Sequence, residues 1–262
     1  MLVTTNGHVM AIHDTVPADG TDAYDYTGGE VERPDLVDDL TPLVDGDVRF
    51  DDYSRQLYAT DASAYERLPI GVVLPRSTDD VDAVVAYCFE HEIPVLPRGG
   101  GTSLAGQTVN EAVVLDFSRY MDDATIDPES ETATAEAGIT LGKLNEAAAE
   151  HGLTFGPDPA WGDKSALGGA IGNNSTGAHS LVYGKTDYYV EEVEAVLADG
   201  TVTTFGEVAI ETLREEGDAT SDDIRERVYA SVLKILEEER AEIDRRYPRL
   251  KRNVSGYNLD AL

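Results

Sequence analysis

The stretch PRGGGTSLAGQ, residues 97–107, places three consecutive glycines just behind the apolar run IPVLP. A short apolar run that ends in glycines predicts a strand followed by a loop. A second apolar run, AVVLDF, begins at residue 112 and predicts another strand, so the loop connects two strands. Glycines allow a backbone to adopt positive φ and to approach a neighbouring group closely. The question that this stretch raises is therefore what the loop approaches.

Two common phosphate-binding motifs do not fit this loop. The P-loop needs a lysine after its last glycine, and none is present. The dinucleotide fingerprint must open a helix, and the residues that follow Gly101 have no helical period. Two interpretations stay open on the loop alone. One is a tight turn between strands, and the other is a nest of backbone N–H groups that holds an anion, helped by the hydroxyls of Thr102 and Ser103 and the charge of Arg98.

A second glycine-rich stretch, PDPAWGDKSALGGAIGNNSTGAHS at residues 157–180, favours the anion-binding interpretation. It belongs to a long segment rich in Gly, Asn and Ser, and loops of such length inside a domain are usually functional. Two loops that expose their backbone suit a long ligand with a phosphate part and a flat polar ring part.

The composition is strongly acidic. The chain of 262 residues has 51 acidic and 20 basic residues, a formal net charge of −31, and only 5 lysines against 15 arginines. A surface of this kind stays hydrated in concentrated salt, so we expect a protein of a halophile. The balance argues against nucleic acid and anionic membranes as partners, because few groups could neutralise phosphates.

Cysteine content and hydropathy restrict the compartment. Cys88 is the only cysteine, which excludes an internal disulfide and any CxxC metal or iron–sulfur site, and we expect it to pack in the core. No run approaches the ~20 apolar residues of a membrane helix, and no secretory signal is recognisable. We therefore expect no membrane span and a cytoplasmic location, free or peripheral to the inner face of the membrane.

Three regions are predicted along the chain. Residues 1–66 carry 15 acidic residues against three arginines and are interpreted as a partly ordered, solvated leader whose later part can dock on a domain. Residues 67–205 are predicted to form the domain core, and residues 206–262 a helical extension. Three helix caps are predicted, at Ser77, Thr140 and Ser221.

Six segments, in this order, resemble the FAD-binding domain of the vanillyl-alcohol oxidase / p-cresol methylhydroxylase type, in its glycolate oxidase and D-lactate dehydrogenase branch. They cover about residues 68–262 and read GVVLPRSTDDVDAVVAYC, IPVLPRGGGTSLAGQ, VVLDFSRY, AEAGITLGKLNEAAAEHGLTFGPDP, GGAIGNNSTGAHSLVYGKTDYYVEEVEAVLADGTV and SGYNLDAL. The resemblance implies an α+β domain of two subdomains with FAD held between them.

The resemblance also implies roles for individual residues. The pyrophosphate would be held by the first loop, namely Arg98, Gly99, Gly100, Gly101, Thr102 and Ser103. The cofactor would run along Pro157, Asp158 and Pro159. The flavin and ribityl side would be lined by Gly168, Gly169, Asn173, Ser175 and Gly177, and closed by Val190. No metal site and no catalytic base are assigned.

The sequence departs from the family pattern at two places. Residues 160–167 carry Trp161, Asp163 and Lys164 where the family has small residues; Lys164 is expected to pair with Asp163, with a phosphate as the alternative. The family's final FAD-domain strand and substrate domain do not follow SGYNLDAL. We expect either the N-terminal piece of a longer protein or a truncated chain.

The function that the resemblance implies is oxidation of a small D-2-hydroxy acid such as D-lactate or glycolate, with electrons passed to a quinone or an iron–sulfur partner. The substrate would bind in a domain outside this chain. Two alternatives stay open: another FAD-linked enzyme on the same domain, such as a sugar or alditol oxidase, and a non-catalytic FAD-binding module. His179 is expected to form a hydrogen bond within its loop, with covalent attachment of flavin as the alternative.

Overall fold

The computed structural model describes residues 33–159, 161–250 and 257–262. Helices and strands are mixed along the described chain, as an α+β fold requires. The strands are β1 (Asp47–Arg49), β2 (Gly71–Leu74), β3 (Val95–Arg98), β4 (Val113–Asp116), β5 (Ala124–Asp127), β6 (Thr132–Ala135), β7 (Glu192–Val196) and β8 (Val202–Gly206). The helices are α1 (Pro34–Leu40), α2 (Asp52–Leu57), α3 (Thr78–Glu90), α4 (Leu141–Ala149), α5 (Leu167–Gly172), α6 (Ser180–Tyr183), α7 (Ile210–Glu216), α8 (Ile224–Glu238) and α9 (Arg240–Arg246).

A four-stranded sheet with the order β1-β2-β4-β3 forms the centre of the first part. Strands β2 and β3 both pair with β4 in parallel, and β1 pairs with β2 in antiparallel. Strands β3 and β4 are parallel, so the carboxyl end of β3 and the amino end of β4 lie at opposite ends of the strands. Residues 99–112 must therefore run the length of the sheet between them. This is the strand-to-strand connection expected from the sequence.

Both faces of this sheet are buried. Val73 and Leu115 pack on one face with Val84 and Cys88 of α3, and Val72 and Val114 pack on the other. The side-chain alternation of the strands places these valines on opposite faces, so continuous apolar runs such as GVVL are what the sheet needs.

Helix α3 begins at the predicted cap and buries one face. The cap is Ser77, whose hydroxyl accepts a hydrogen bond from the backbone N–H of Asp80 at 3.3 Å. Val81 and Val84 are buried, but Phe89 is 56% exposed. Eight residues of helix turn Phe89 by about 80° away from Val81, which places its ring at the margin of the buried face.

The expectation of a solvated leader does not hold for residues 34–50. Leu36, Leu40 and Phe50 are at most 1% exposed and belong to the main core, and β1 extends the sheet. The many acidic residues of this segment made its part in the core hard to predict from the sequence. A few buried side chains are enough to anchor a helix and a short edge strand. Residues 1–32 of the predicted leader lie outside the described residues.

Two antiparallel hairpins and the helices α4 to α9 follow the sheet in the described chain. Strands β5 and β6 form one hairpin, and β7 and β8 form the other, which turns at Asp199 and Gly200. Helix α4 begins at the predicted cap, because the hydroxyl of Thr140 accepts from the backbone N–H of Lys143 at 3.2 Å. The predicted cap at Ser221 is wrong: α8 begins later, and Asp223 accepts from the backbone N–H of Arg225 at 2.7 Å.

Candidate functional site

The first glycine-rich loop leaves the sheet at the carboxyl end of β3. The carbonyl of Arg98 still accepts a hydrogen bond from the backbone N–H of Phe117 at 3.0 Å. In the part of the chain that the structure describes, the next five backbone N–H groups, those of residues 99–103, have no acceptor. Residues 99–103 are exposed or half-buried, so these donors are open to solvent and to a ligand. Successive open backbone donors are the kind of feature that binds anions in proteins.

Close packing against the second loop explains why the first positions are glycines. A β-carbon on Gly99 would lie 2.5 Å from Cβ of Ala166, and one on Gly100 would overlap the carbonyl oxygen of Lys164. Gly101 has a φ of +62°, in the left-handed region. Close packing and the positive φ thus explain why these positions are glycines, as the interpretation as a tight turn requires. The free amides are the groups with which the loop can bind an anion.

The guanidinium of Arg98 has a structural role beside the phosphate contact that the sequence predicts, and that contact stays a prediction. It donates hydrogen bonds to three backbone carbonyls, those of Thr60 at 2.8 Å, Thr108 at 2.9 Å and Tyr58 at 3.3 Å. Burial of the side chain lowers the pKa of Arg98 from its ordinary value. These bonds hold the loop in place, and the guanidinium keeps its positive charge beside Gly101, where a β-carbon would lie 2.6 Å from an Arg98 nitrogen.

Residues 58–66 of the acidic segment contact the glycine loop, which agrees with the expectation that the later part of this segment docks on a domain; the sequence did not predict that the loop is what they contact. The backbone N–H of Ala62 donates to the carbonyl of Gly101 at 3.0 Å. The hydroxyl of Thr108 donates to a carboxylate oxygen of Asp61 at 2.9 Å, and a β-carbon on Gly106 would lie 2.7 Å from the ring of Tyr65. The only signal in the sequence was the cluster of tyrosines that could dock on a domain.

The two glycine-rich stretches meet through side chains as well. The hydroxyl oxygens of Thr102 and Ser165 lie 3.1 Å apart in a hydrogen bond. The side-chain amide of Gln107 donates to that of Asn173 at 3.3 Å, and Ser103 donates its hydroxyl hydrogen to Gln107. Two separate links therefore join the stretches: Thr102 contacts Ser165, and Ser103 is connected to Asn173 through Gln107.

The second stretch contains a short helix where the sequence predicts only loop. Helix α5 is fastened at its start, since the backbone N–H groups of Leu167 and Gly168 donate to the carbonyls of Ile139 at 2.9 Å and Ala137 at 2.8 Å. A β-carbon on Gly168 would lie 3.0 Å from that of Ala137, so this glycine serves packing. Gly169 and Gly172 differ, because a β-carbon on either would meet no described atom within 4 Å.

The predicted residues 157–159 lie beside Gly177. Pro159 and Gly177 form an isolated antiparallel bridge, and a β-carbon on Gly177 would overlap the carbonyl oxygen of Asp158. The backbone N–H of Gly177 donates to the hydroxyl of Ser180 at 2.9 Å. This part of the site is a tight backbone contact, and Asp158 adopts a positive φ of 40° within it.

A cleft of ≈ 580 Å³ opens between the second stretch and the end of the chain. Of the predicted site residues, Asn173 and Val190 line it. Its walls combine amide and carboxylate groups with a few apolar side chains, as small-molecule sites do. The lining residues are Gln107, Ile171, Gly172, Asn173, Asn174, Thr186, Asp187, Val190, Tyr257 and Asn258.

Asp187 is the electrostatic centre of this cleft wall. One of its carboxylate oxygens accepts from the side-chain amide of Asn174 at 2.8 Å, from Nζ of Lys185 at 3.0 Å and from the side-chain amide of Asn258 at 3.3 Å. The backbone N–H of Asp187 donates back to Asn174 at 3.1 Å. The bonds join the second stretch to the end of the chain. The backbone around Ser175 is fastened too, because its carbonyl accepts from the hydroxyl of Thr186 at 2.9 Å.

Three residues weighed from the sequence have definite environments. Cys88 is buried, as expected, and burial raises the pKa of its thiol to about 11. His179 forms the expected bond within its loop, with 3.2 Å between Nδ1 and a carboxylate oxygen of Asp158. The expected pair of Lys164 with Asp163 is absent, and no carboxylate of the described residues lies within ion-pair distance of this exposed ammonium.

No group of three or more His, Cys, Asp or Glu side chains within the described ranges is arranged to hold a metal ion. None of the helices in those ranges is both long and apolar enough to cross a bilayer.

Comparison with known proteins relates this geometry to one family. The family model described as an FAD binding domain matches residues 69–206. The D-2-hydroxyglutarate dehydrogenase of Escherichia coli (strain K12) is 34% identical over 218 residues, which are 82% of this chain and 21% of that protein. The glycolate oxidase subunit GlcD of Bacillus subtilis (strain 168) is 38% identical over 168 residues, 62% of this chain and 36% of that protein.

Solved structures give the same fold. An alkyldihydroxyacetonephosphate synthase superposes with a TM-score of 0.59 at 22% identity, over 74% of this chain and 38% of the other.

The matched part of this chain spans only 21% of the length of the dehydrogenase and 36% of the length of the glycolate oxidase subunit.

Proposed function

The chain belongs to the FAD-binding domain family of the vanillyl-alcohol oxidase / p-cresol methylhydroxylase type, and from this premise we propose that its two glycine-rich stretches bind FAD. In this proposal the pyrophosphate lies on the backbone amides of residues 99–103. The remainder of the cofactor extends along residues 157–159, Gly169, Ser175 and Gly177 toward Asn173 and Val190.

The observation that carries the proposal is the row of five free amides. A pyrophosphate presents several oxygen acceptors, and hydrogen bonds to charged acceptors are stronger than those to neutral ones. Local amide dipoles explain how a chain with a formal net charge of −31 can take up an anion. The distant carboxylates are screened by salt, whereas donors in contact with the ligand are not.

Open space beside the second stretch supports the same reading. Gly169 and Gly172 have nothing within 4 Å of a β-carbon position, so their lack of a side chain is not needed for packing among the described residues. In this proposal the two positions are glycines because the ligand passes close to their backbone. The cleft beyond them offers polar edges and apolar walls, which fit a flat heteroaromatic ring.

Lys164 is a second cation that this proposal assigns to the phosphates, beside Arg98. Its carbonyl packs on Gly100, its side chain is exposed, and no described carboxylate neutralises it. Arg98 also stabilises the loop conformation that presents the amides.

For the whole protein we propose an oxidoreductase for a small D-2-hydroxy acid, of the D-lactate or glycolate type. Bound FAD supplies the capacity to accept two electrons from a substrate and to release them to an acceptor. The role of this chain is to hold and orient that cofactor. We propose that a quinone or an iron–sulfur protein accepts the electrons, and that substrate contacts come from polypeptide outside these 262 residues. With a quinone acceptor the protein would lie at the inner face of the membrane.

The visible spectrum of the chain purified in concentrated salt tests the proposal. We expect the two absorption bands of bound flavin, either as purified or after addition of FAD and removal of the excess. Their absence under both conditions, with the chain folded by circular dichroism, would overturn FAD binding. Bound FAD without any reduction by D-lactate, glycolate or D-2-hydroxyglutarate would favour a non-catalytic FAD-binding module for this chain.

A further inference from the structure

Tyr257 is an exposed aromatic residue at the edge of the cleft. Its side chain is 86% exposed, and it lines the cleft together with Asn173 and Val190. A single exposed aromatic residue is ordinary on a protein surface. What sets Tyr257 apart is that its own carbonyl and the residues after it are held by hydrogen bonds.

Three hydrogen bonds fasten the described end of the chain. The carbonyl of Tyr257 accepts a hydrogen bond at 2.5 Å from the hydroxyl of Tyr247, the residue that follows α9. The next side chain, Asn258, donates to Asp187 in the cleft wall at 3.3 Å. Arg240 donates to the carbonyl of Leu262 at 3.1 Å. The carbonyl of Tyr257 is therefore attached to the residue that follows α9, and the side chain of Asn258 is attached to the cleft wall, while the ring of Tyr257 is exposed to solvent.

The chemistry of the lining suits a flat ring. Apolar side chains come from Ile171, Val190 and Tyr257, and polar groups come from the amides and carboxylate around them. Aromatic heterocycles need an apolar contact on their faces and hydrogen-bonding groups at their edges. A tyrosine whose backbone is held has only two side-chain torsions to fix when a ring stacks on it, so it loses little conformational freedom.

We propose that Tyr257 is a ligand-binding residue whose ring stacks on a flat ring of FAD seated in this cleft. The inference rests on the proposed function. FAD carries two such rings, the isoalloxazine and the adenine, and both present the same stacking chemistry. The two are separated by experiment, using FMN for the first and ADP for the second.

The test compares the 262-residue chain with Tyr257→Ala and Tyr257→Phe in concentrated salt, measuring binding of FAD, FMN and ADP by titration. We expect Tyr257→Ala to weaken FAD binding about tenfold, the low end of a stacking contribution, and Tyr257→Phe to bind nearly as the parent does. Tyr53→Ala is the matched control, because Tyr53 is also exposed, at 62%, and does not line the cleft. Circular dichroism and the midpoint of thermal unfolding without ligand verify that each variant folds.

The comparison of FMN with ADP shows which ring of FAD contacts Tyr257. Weaker FMN binding, together with stronger fluorescence of the flavin that remains bound, would place Tyr257 on the isoalloxazine, since a stacked tyrosine quenches flavin emission. Weaker ADP binding alone would place it on the adenine. Equal binding of all three ligands by the parent and by folded Tyr257→Ala would overturn the inference and leave FAD binding intact. A parent chain that binds no FAD would overturn both.

Discussion

Gly100 packs directly against Lys164, so closely that a β-carbon on the glycine would overlap the lysine's carbonyl oxygen. These residues belong to the two glycine-rich stretches, about sixty positions apart in the chain. The contact joins the loop with the free amides to the segment that leads into α5, and it therefore sets the spacing between the two halves of the proposed FAD site.

Substituting Gly100→Ala should disturb both stability and binding. The overlap is with a backbone atom, which cannot rotate away, so we expect a loss of about 1–3 kcal/mol in the free energy of unfolding. FAD affinity should fall as well, because the free amides move with the loop. Chemical denaturation and FAD titration measure the two effects. Gly162→Ala is the control, since its β-carbon would have only ordinary contacts at 3.9 Å; similar losses in both variants would contradict the explanation.

Gly172→Ala separates ligand approach from packing. No described atom lies within 4 Å of the new β-carbon, so the free energy of unfolding without ligand should be unchanged or rise by up to about 1 kcal/mol, as for other glycines replaced in helices. FAD binding should weaken, because the added methyl group enters the space proposed for the cofactor. Calorimetric unfolding and a binding titration test this. Unchanged affinity would show that the ligand does not pass this glycine.

Replacing Lys164 with glutamine should weaken FAD binding by about 1 kcal/mol, the range of a single exposed charge contact. The effect should be largest at the lowest salt concentration at which the chain stays folded, and should shrink as salt screens the charge. Lys234→Gln is the control, because Lys234 lies on α8 beside Glu238. Equal affinities of the parent and Lys164→Gln at every salt concentration would remove this residue from the site.

The ionisation of Asp61 should make the free energy of unfolding depend on pH. Partial burial acts to raise the pKa of this carboxyl, but hydrogen bonds from Ser63 and Thr108 outweigh it and hold the pKa below its ordinary value of 3.8. A group whose pKa is lower in the folded state stabilises the fold above its unfolded pKa, and the contribution is lost as the pH falls through the folded value.

We therefore expect Asp61→Asn to be less stable than the parent at neutral pH, with a difference that narrows as the pH falls below about 4. Urea denaturation across this range measures it. Thr108→Val removes a hydrogen bond to the same carboxylate and should shift the pH dependence in the same direction. A difference that stays constant with pH would contradict the assignment to Asp61.

Cys88 should be unreactive in the native state. Its side chain is fully buried, and burial raises the pKa of its thiol to about 11, so little thiolate forms at neutral pH. A disulfide reagent such as DTNB should modify it only when the chain unfolds, and the rate should rise with denaturant. Rapid modification of the folded chain at pH 7 would contradict the packing described for α3.

How much of this was readable from the sequence depends on the distance over which each feature is determined. Glycine runs, apolar strands and helix caps such as Thr140 are local, so they indicated the α+β class, the two loops and the FAD family correctly. The environment of Cys88 followed as well, because the period of one helix face determines it.

Features that join distant parts of the chain became visible in three dimensions. Arg98 reads as a phosphate ligand in the sequence, and the fold adds three carbonyls from elsewhere that take its hydrogen bonds. The acidic run before residue 66 reads as a leader, yet Leu36 and Phe50 lie in the core and Asp61 holds the glycine loop. A cap or a strand follows from a handful of neighbouring residues, whereas the partner of a buried charge depends on which backbone groups the folded chain leaves within reach.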